Sequence, residues 1–163
     1  MWMIIVFTVM FLIIDIVSKL VISNLMNVYD SIIVIRNIFN ITYVRNTGAA
    51  WSMFAGNTLL LIIVSLIIIS FIIFYIYKNK PKNKFEMIGY SLVLGGAIGN
   101  FKDRIVYGYV IDYLDFNIFG YPYPIFNFAD TAIVIGTFTI IILSLIESRN
   151  NNEINSPRKN ENR

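Results

Sequence analysis

The chain has 163 residues, of which 57% are apolar and only 14% are charged, and its formal net charge is +3. Its mean hydropathy is +0.69, and several stretches approach the roughly 20 apolar residues that cross a bilayer, which indicates an integral membrane protein rather than a soluble domain. The chain has no cysteine and no histidine, which excludes disulfides, thiolate nucleophiles, and the commonest general base and metal ligand.

Four membrane spans are predicted in chain order, at about 2–22, 57–77, 86–106 and 126–146. The first span begins with uncharged residues and then carries Asp15 and Lys19. A cleaved signal peptide is the alternative interpretation of this span, but no basic segment precedes the apolar run and no small-residue cleavage site follows it. The second span has no charged residue, and the third has an uncharged centre from Met87 to Phe101.

Lysine and arginine residues predict how the spans are oriented. They are concentrated in the loop KNKPKNK (78–84) and in the segment after the fourth span, whereas the loops at 23–56 and 107–125 hold only Arg36 and Arg45. The positive-inside rule then places both termini in the cytoplasm and the two long loops outside. The polar segment 148–163 is predicted to be a disordered cytoplasmic tail, which leaves residues 1–147 as one transmembrane domain.

The first outer loop contains IFNITYVRN (38–46). Apolar Phe39, Ile41 and Tyr43 alternate there with polar residues, which predicts a short strand, and NTGA (46–49) follows as a turn. The predicted fold class is an all-α polytopic membrane protein, with four transmembrane helices and a small extracytoplasmic β-rich loop. Gly95 and Gly99 of the third span have the spacing of closely packed helices.

Most of the acidic residues have ordinary interpretations. Asp15 and Lys19 are four residues apart, so they share a helix face and are predicted to pair inside the bundle. Asp103 lies between Lys102 and Arg104 and is interpreted as part of a charge cluster that ends the third span. Two further acidic residues are interpreted as solvated loop residues, namely Asp30 and Asp115.

Two aspartates stand apart from these. Asp112 lies in the apolar stretch YVIDYL just beyond the third span, and Asp130 lies in the first turn of the fourth. The segment between them leaves the membrane and returns, so both carboxylates arrive at the same outer interface. Two carboxylates in a poorly solvated site do not both ionise easily, so one retains a proton. Such a pair can activate a water molecule and polarise an amide carbonyl without histidine.

The topology alone leaves other functions open. The pair could bind a cation or cap a helix, or a small transporter could use Asp15, Asp112 and Asp130 as a proton or cation relay. A noncatalytic assembly subunit is a third class. Position separates these functions, because a relay needs carboxylates near the middle of the membrane, whereas two of these three lie at one edge.

Five short blocks in the chain carry a resemblance to a known family. In order they are DIVSK (15–19), RNTGAAWSMF (45–54), GGAIGNFKDRI (95–105), VIDY (110–113) and FNFAD (126–130). In order and spacing they resemble the signature blocks of the lipoprotein signal peptidases, also called signal peptidase II. The resemblance covers the four predicted spans and both outer loops.

The resemblance implies an aspartic endopeptidase of the bacterial cytoplasmic membrane with its active site on the extracytoplasmic side. Family members remove the signal peptide of prolipoproteins, cutting just before a cysteine that bears diacylglycerol. The family's catalytic dyad corresponds to Asp112 and Asp130. Its other signature positions imply residues that bind substrate or support the dyad: Asn46, Gly48, Asn100, Arg104, Asn127, Asp15 and Lys19.

The resemblance also implies the partners. They are diacylglyceryl prolipoproteins and membrane lipid, with no nucleic acid, metal or cofactor, and the enzyme is expected to act as a monomer. Lys102 departs from the family pattern, because an uncharged residue is expected at its position in GNFKDR.

Overall fold

Four long helices follow the four apolar stretches of the chain. The structure is a computed structural model that describes residues 1–49, 53–81, 83–118 and 120–155. Its helices are α1 (Trp2–Leu25), α2 (Thr58–Asn79), α3 (Lys84–Tyr107) and α4 (Phe128–Asn155). Each overlaps one predicted span, and the start of each lies within a few residues of the predicted start.

Within the described residues, three helices are long and apolar enough to cross a membrane, namely α1, α2 and the part of α4 from Phe128 to Asn150. Many of their large apolar side chains are exposed, for example Phe71 and Leu145 at 65% each, as expected of surfaces that face lipid. Helix α3 is as long as α1 but carries charged residues near both ends. The count of membrane-spanning helices shown by composition is therefore three.

Helix α3 is the centre of the bundle and packs against the other three helices. Glycines allow the close approach. A Cβ atom on Gly95 would lie 2.9 Å from Cβ of Phe11 in α1, and one on Gly96 would collide with the carbonyl oxygen of Ala129 in α4. The close packing predicted from the spacing of Gly95 and Gly99 is confirmed.

A four-stranded antiparallel sheet covers one end of the bundle. Its strands are β1 (Ser31–Ile35), β2 (Phe39–Asn46), β3 (Val110–Ile118) and β4 (Tyr121–Pro122), in that order. The strand predicted at 38–46 is confirmed as β2. The predicted class, all-α with one β-rich loop, needs correction because the second loop supplies β3 and β4. Strand β3 was not predicted because apolar and polar residues do not alternate regularly in VIDYLDFNI and because its partner β2 is distant in sequence.

The end of α4 also differs from the expected boundary. The helix continues to Asn155, eight residues into the segment assigned to a disordered tail. A helix nucleated by a long apolar run extends readily into polar sequence, since propagation is far less costly than nucleation. Residues 156–163 of the predicted tail lie outside the described residues, as do Lys82 of the basic loop and residues 50–52 of the RNTGAAWSMF block.

Candidate active site

The turn from α3 into the sheet and the return to α4 place two aspartates side by side. Gly108 ends α3 with a φ of 79°, a conformation that favours glycine, and β3 begins two residues later. After β4 the chain pairs again with β3, because Leu114 N–H donates to the Phe126 carbonyl at 2.7 Å and Phe126 N–H donates back at 3.1 Å. Helix α4 starts directly after this contact.

Asn127 contacts both carboxylates at the start of α4. Its Oδ1 accepts a hydrogen bond from Asp130 N–H at 3.0 Å, and Asp130 Oδ2 accepts from Asn127 N–H at 3.2 Å. This reciprocal arrangement is a capping box. Asn127 Nδ2 also donates to Asp112 Oδ1 at 2.6 Å. One fully buried asparagine thus bridges Asp112 and Asp130, which we call the carboxylate pair.

Amides supply the other hydrogen bonds to the carboxylate pair. Asn46 Nδ2 in β2 donates to Asp112 Oδ2 at 2.9 Å, and Asn100 Nδ2 in α3 donates to Asp130 Oδ1 at 2.8 Å. Within the described residues neither carboxylate forms an ion pair. The pair is therefore held in place by neutral donors, with no cation in direct contact.

The environment of Asp112 favours its protonated form. The residue is only 2% exposed, and burial together with the charge of Asp130 raises the pKa of Asp112 to about 7. Hydrogen bonds from Asn46 and Asn127 and the charge of Lys19 lower this pKa, but burial dominates. Near neutral pH the Asp112 carboxyl can therefore hold or release a proton.

A second group of charges lies beneath the carboxylate pair. Lys19 Nζ lies 2.9 Å from each of three oxygens, Asp15 Oδ2, Asn100 Oδ1 and Asp103 Oδ2. Lys102 Nζ lies 3.2 Å from Asp103 Oδ1. We call Asp15, Lys19, Lys102 and Asp103 the ion cluster. Its two ammonium groups balance its two carboxylates.

The ion cluster confirms one interpretation and corrects another. Asp15 and Lys19 pair inside the bundle as predicted, and both are buried. The interpretation of Asp103 as a boundary charge was wrong, because this residue is only 1% exposed and pairs with Lys19 of α1. Its flanking residues, Lys102 and Arg104, suggested an interfacial position, and no local signal reveals a partner on another helix. Lys102, unexplained by the family pattern, supplies the charge that makes the cluster neutral.

Asn100 joins the ion cluster to the carboxylate pair. Its Oδ1 accepts from Lys19 and, at 3.2 Å, from Asn127 Nδ2, while its Nδ2 donates to Asp130. Asp15 Oδ1 accepts in addition from the backbone N–H of Ala129 in α4 at 3.2 Å. A displacement of Lys19 would therefore also disturb Asp130, because the Asn100 side chain contacts both residues.

Arg104 and Gly48 fix the first loop to α3. Arg104 Nη2 donates to the Gly48 carbonyl at 2.9 Å, and Gly48 N–H donates to Asn46 Oδ1 at 2.9 Å. This local bond closes the turn predicted at 46–49 and orients the Asn46 amide toward Asp112. All the site residues predicted from the sequence therefore lie in one connected network.

The remaining loop carboxylates behave differently from each other. Asp30 is exposed, as predicted. Asp115 is partly buried and accepts hydrogen bonds from Thr42 Oγ1 at 2.6 Å and Asn40 Nδ2 at 3.4 Å. Its interpretation as a solvated loop residue was wrong because the unforeseen strand β3 places it against β2.

The described residues contain no group of three carboxylates arranged to hold a metal ion. The participation of a metal or cofactor is not tested by this observation, and the expectation that none takes part stays a prediction. The site contains the carboxylate pair, in which Asp130 is partly exposed and lies at the start of α4. Such an arrangement can move a proton between a bound water molecule and a peptide.

Comparisons with known proteins identify the family of the chain. The family model described as signal peptidase (SPase) II matches residues 7–146. A lipoprotein signal peptidase of Staphylococcus haemolyticus is 44% identical over 142 residues, which cover 87% of this chain and 89% of that protein. One of Staphylococcus aureus is 42% identical over 148 residues, or 91% of this chain and 89% of that protein.

A solved structure has the same fold. It is a bacterial membrane enzyme determined by the in meso method at 2.3 Å resolution, with a TM-score of 0.83 and 37% sequence identity. The match covers 98% of this chain and 94% of that one. The chain therefore belongs to the signal peptidase II family, a family of membrane proteases.

Proposed function

We propose that this protein is an intramembrane aspartic endopeptidase that removes the signal peptide from diacylglyceryl-modified prolipoproteins. The cut falls just before the lipid-bearing cysteine. The observation that carries the proposal is the bridging of Asp112 and Asp130 by Asn127, with the pKa of Asp112 raised to about 7. Membership of the family supports the substrate class.

In the proposed reaction the carboxylate pair shares one proton around a water molecule. One carboxylate removes a proton from this water, whose oxygen attacks the scissile carbonyl carbon. The other, protonated carboxyl polarises the carbonyl oxygen, and a proton passes to the nitrogen as the C–N bond breaks. Because the two groups are coupled, their proton belongs to the pair rather than to either residue.

The proposed placement in the membrane uses all four helices as spans. Helix α3 counts as the fourth span because it lies at the centre of the bundle and its buried Asp103 is paired with Lys19 of α1. The lysines near 78–84 place that loop and both termini in the cytoplasm. The sheet and the carboxylate pair then face the extracytoplasmic side.

Substrate recognition in this proposal combines lipid and peptide. The diacylglyceryl group stays in the bilayer against the exposed apolar helix surfaces, where each buried CH₂ contributes about 0.8 kcal/mol. Arg104, Gly48 and Asn46 join the first loop to α3 and to Asp112, and in this proposal they position that loop beside the cleavage segment. A single chain contains the whole pair, so the proposed active form is a monomer.

Cleavage by purified variants in phospholipid vesicles tests the proposal. The substrates are a synthetic diacylated prolipoprotein and the same peptide with an unmodified cysteine. We expect the wild type to cut only the diacylated peptide, before the cysteine, and we expect Asp112→Asn and Asp130→Asn to abolish cleavage.

The matched control is Asp115→Asn, which removes a carboxylate from the same strand as Asp112. Its amide oxygen can still accept the Thr42 hydrogen bond, so cleavage should remain near the wild-type rate. Wild-type-like cleavage by either Asp112→Asn or Asp130→Asn would remove that residue from the mechanism. Equal cleavage of both peptides would overturn the proposed substrate.

A further inference from the structure

A pocket lies on the face of the sheet opposite the carboxylate pair. Asn46 of β2 points toward Asp112, so its neighbour Arg45 projects from the other face of the strand. There the end of α1, the end of α3 and strands β2 and β3 enclose about 310 Å³. The residues that line it include Ser23, Met26, Tyr43, Arg45, Tyr107 and Tyr109.

Arg45 is the positive charge of this pocket. Its guanidinium lies 4.8 Å from the centre of the Tyr109 ring, and its Nε donates to Tyr43 Oη at 3.4 Å. The side chain is exposed and forms no ion pair with any carboxylate of the described chain. The planar guanidinium has donors free for a second ligand, and its geometry suits a phosphate.

Two stacked tyrosines of the pocket connect Arg45 to a second cation, Lys102, which lies beyond the lining residues. The Tyr109 ring stacks on Tyr107 with the ring centres 5.9 Å apart. Lys102 Nζ lies 4.6 Å from the centre of the Tyr107 ring and 3.4 Å from its Oη. Two cations thus flank two stacked tyrosines, which hold the cations in place and keep an apolar wall beneath an anionic group.

The position of the pocket points to a membrane lipid as the source of this group. The pocket lies where α1 and α3 end, which is the level at which tyrosines are enriched at membrane interfaces. Exposed apolar residues lie close in the chain to its lining residues Met26 and Tyr107, namely Leu25 at 78%, Ile105 at 56% and Val106 at 58%. An acyl chain can lie along these side chains while the headgroup enters the pocket.

We propose that this pocket binds the phosphate headgroup of an anionic phospholipid. Arg45 contacts the phosphate, and the tyrosines provide hydroxyl groups to the phosphate and the glycerol. A net negative headgroup is preferred over a zwitterionic one, because the latter would bring a second cation toward Arg45. The pocket lies on the face of the sheet opposite the carboxylate pair, so a lipid bound there does not occupy the candidate active site.

Native mass spectrometry of the full chain released from nanodiscs tests this site. The nanodiscs contain phosphatidylcholine with a minor fraction of phosphatidylglycerol, and no substrate is added. We expect the wild type to retain one phosphatidylglycerol in preference to phosphatidylcholine. Arg45→Gln should lower this preference about tenfold, and Arg45→Lys less, because lysine keeps the charge but loses the fork.

The matched control is Arg36→Gln, which removes an exposed arginine from the turn between β1 and β2. It should retain the lipid as the wild type does. Wild-type retention by Arg45→Gln, or equal loss by Arg36→Gln, would overturn the proposal. Stronger retention of added glycerol 3-phosphate than of phosphatidylglycerol would also contradict it, because a free phosphate compound would then be the preferred ligand.

Discussion

The ion cluster and the carboxylate pair lie next to each other, but their partners differ. In the ion cluster two ammonium groups balance two buried carboxylates, and Lys19 contacts both of them. Among the described residues, the carboxylate pair receives hydrogen bonds only from amide side chains and a backbone N–H. Both therefore contain aspartate carboxylates, but the charges that surround those carboxylates differ.

Because their electrostatic surroundings differ, the ion cluster and the carboxylate pair are suited to different roles. An ammonium group that contacts carboxylates of two helices links those helices, although the cost of burying the charges offsets much of the attraction. A carboxylate held by neutral amides keeps its negative charge uncompensated, so a second carboxylate nearby favours retention of one proton. The ion cluster therefore holds α1 against α3, and the carboxylate pair is suited to proton transfer.

Replacing a single aspartate by asparagine in each group should distinguish these two roles most strongly. Asp112→Asn should lower cleavage about 10³-fold or more, because it removes one member of a general acid–base pair. It should leave the melting temperature unchanged or higher, since one buried negative charge is lost. Asp103→Asn should instead lower the melting temperature, because two lysines then face a single carboxylate.

The measurement is thermal unfolding in one detergent together with cleavage of a diacylated prolipoprotein. Equal melting temperatures for Asp103→Asn and Asp112→Asn would contradict the charge balance of the ion cluster.

Removal of the central lysine should have the next largest effect. Lys19→Met leaves Asp15 and Asp103 buried without their shared cation, so we expect a loss of about 3–5 kcal/mol in the free energy of unfolding. Adding Asp103→Asn should recover part of this loss. The control is Lys84→Met at the exposed start of α3, and denaturant unfolding that treats the two methionine variants alike would argue against a buried ion cluster.

The sequence predicted much of this comparison, but not all of it. Four apolar runs gave four helices, and the spacing of Asp15 and Lys19 gave their pairing, since both depend on residues close in the chain. Asp112 and Asp130 were predicted to lie together because the segment between them leaves the membrane and returns to the same interface. Asp103 was misinterpreted because its partner Lys19 lies on another helix. Strand β3 was missed because its partner β2 is distant in sequence, and β4, which pairs with β3, was missed because it has only two residues. Helix α3 is less apolar than the other helices, and it packs against all three of them.

Truncation of one amide should have a moderate effect on the carboxylate pair. Asn46 donates a hydrogen bond that lowers the pKa of Asp112. Asn46→Ala should therefore raise this pKa above about 7, move the pH dependence of cleavage upward, and reduce the rate about tenfold.

Asn40→Ala is the control for this variant, because Asn40 lies on the same strand and donates only a long bond to Asp115. A pH profile of Asn46→Ala that coincides with that of the wild type would show that this amide does not influence the pair.

The smallest expected change concerns Lys102, the partly exposed member of the ion cluster. Lys102 is 31% exposed at its side chain, so solvent screens its pairing with Asp103. Lys102→Gln should lower the free energy of unfolding by less than about 1 kcal/mol. The difference from the wild type should shrink further in high salt, and a loss as large as that of Lys19→Met would contradict this ranking.

The most direct test of a shared proton is an infrared pH titration of the protonated carboxyl band, with Asp112→Asn as the subtraction reference. The folded protein holds the Asp112 proton as the pH rises from 3.8, the ordinary pKa, and releases it through about 7. In Asp130→Asn the neighbouring negative charge is gone, so the midpoint should fall below that of the wild type. An unchanged midpoint would contradict the account, because the two aspartates would then titrate independently.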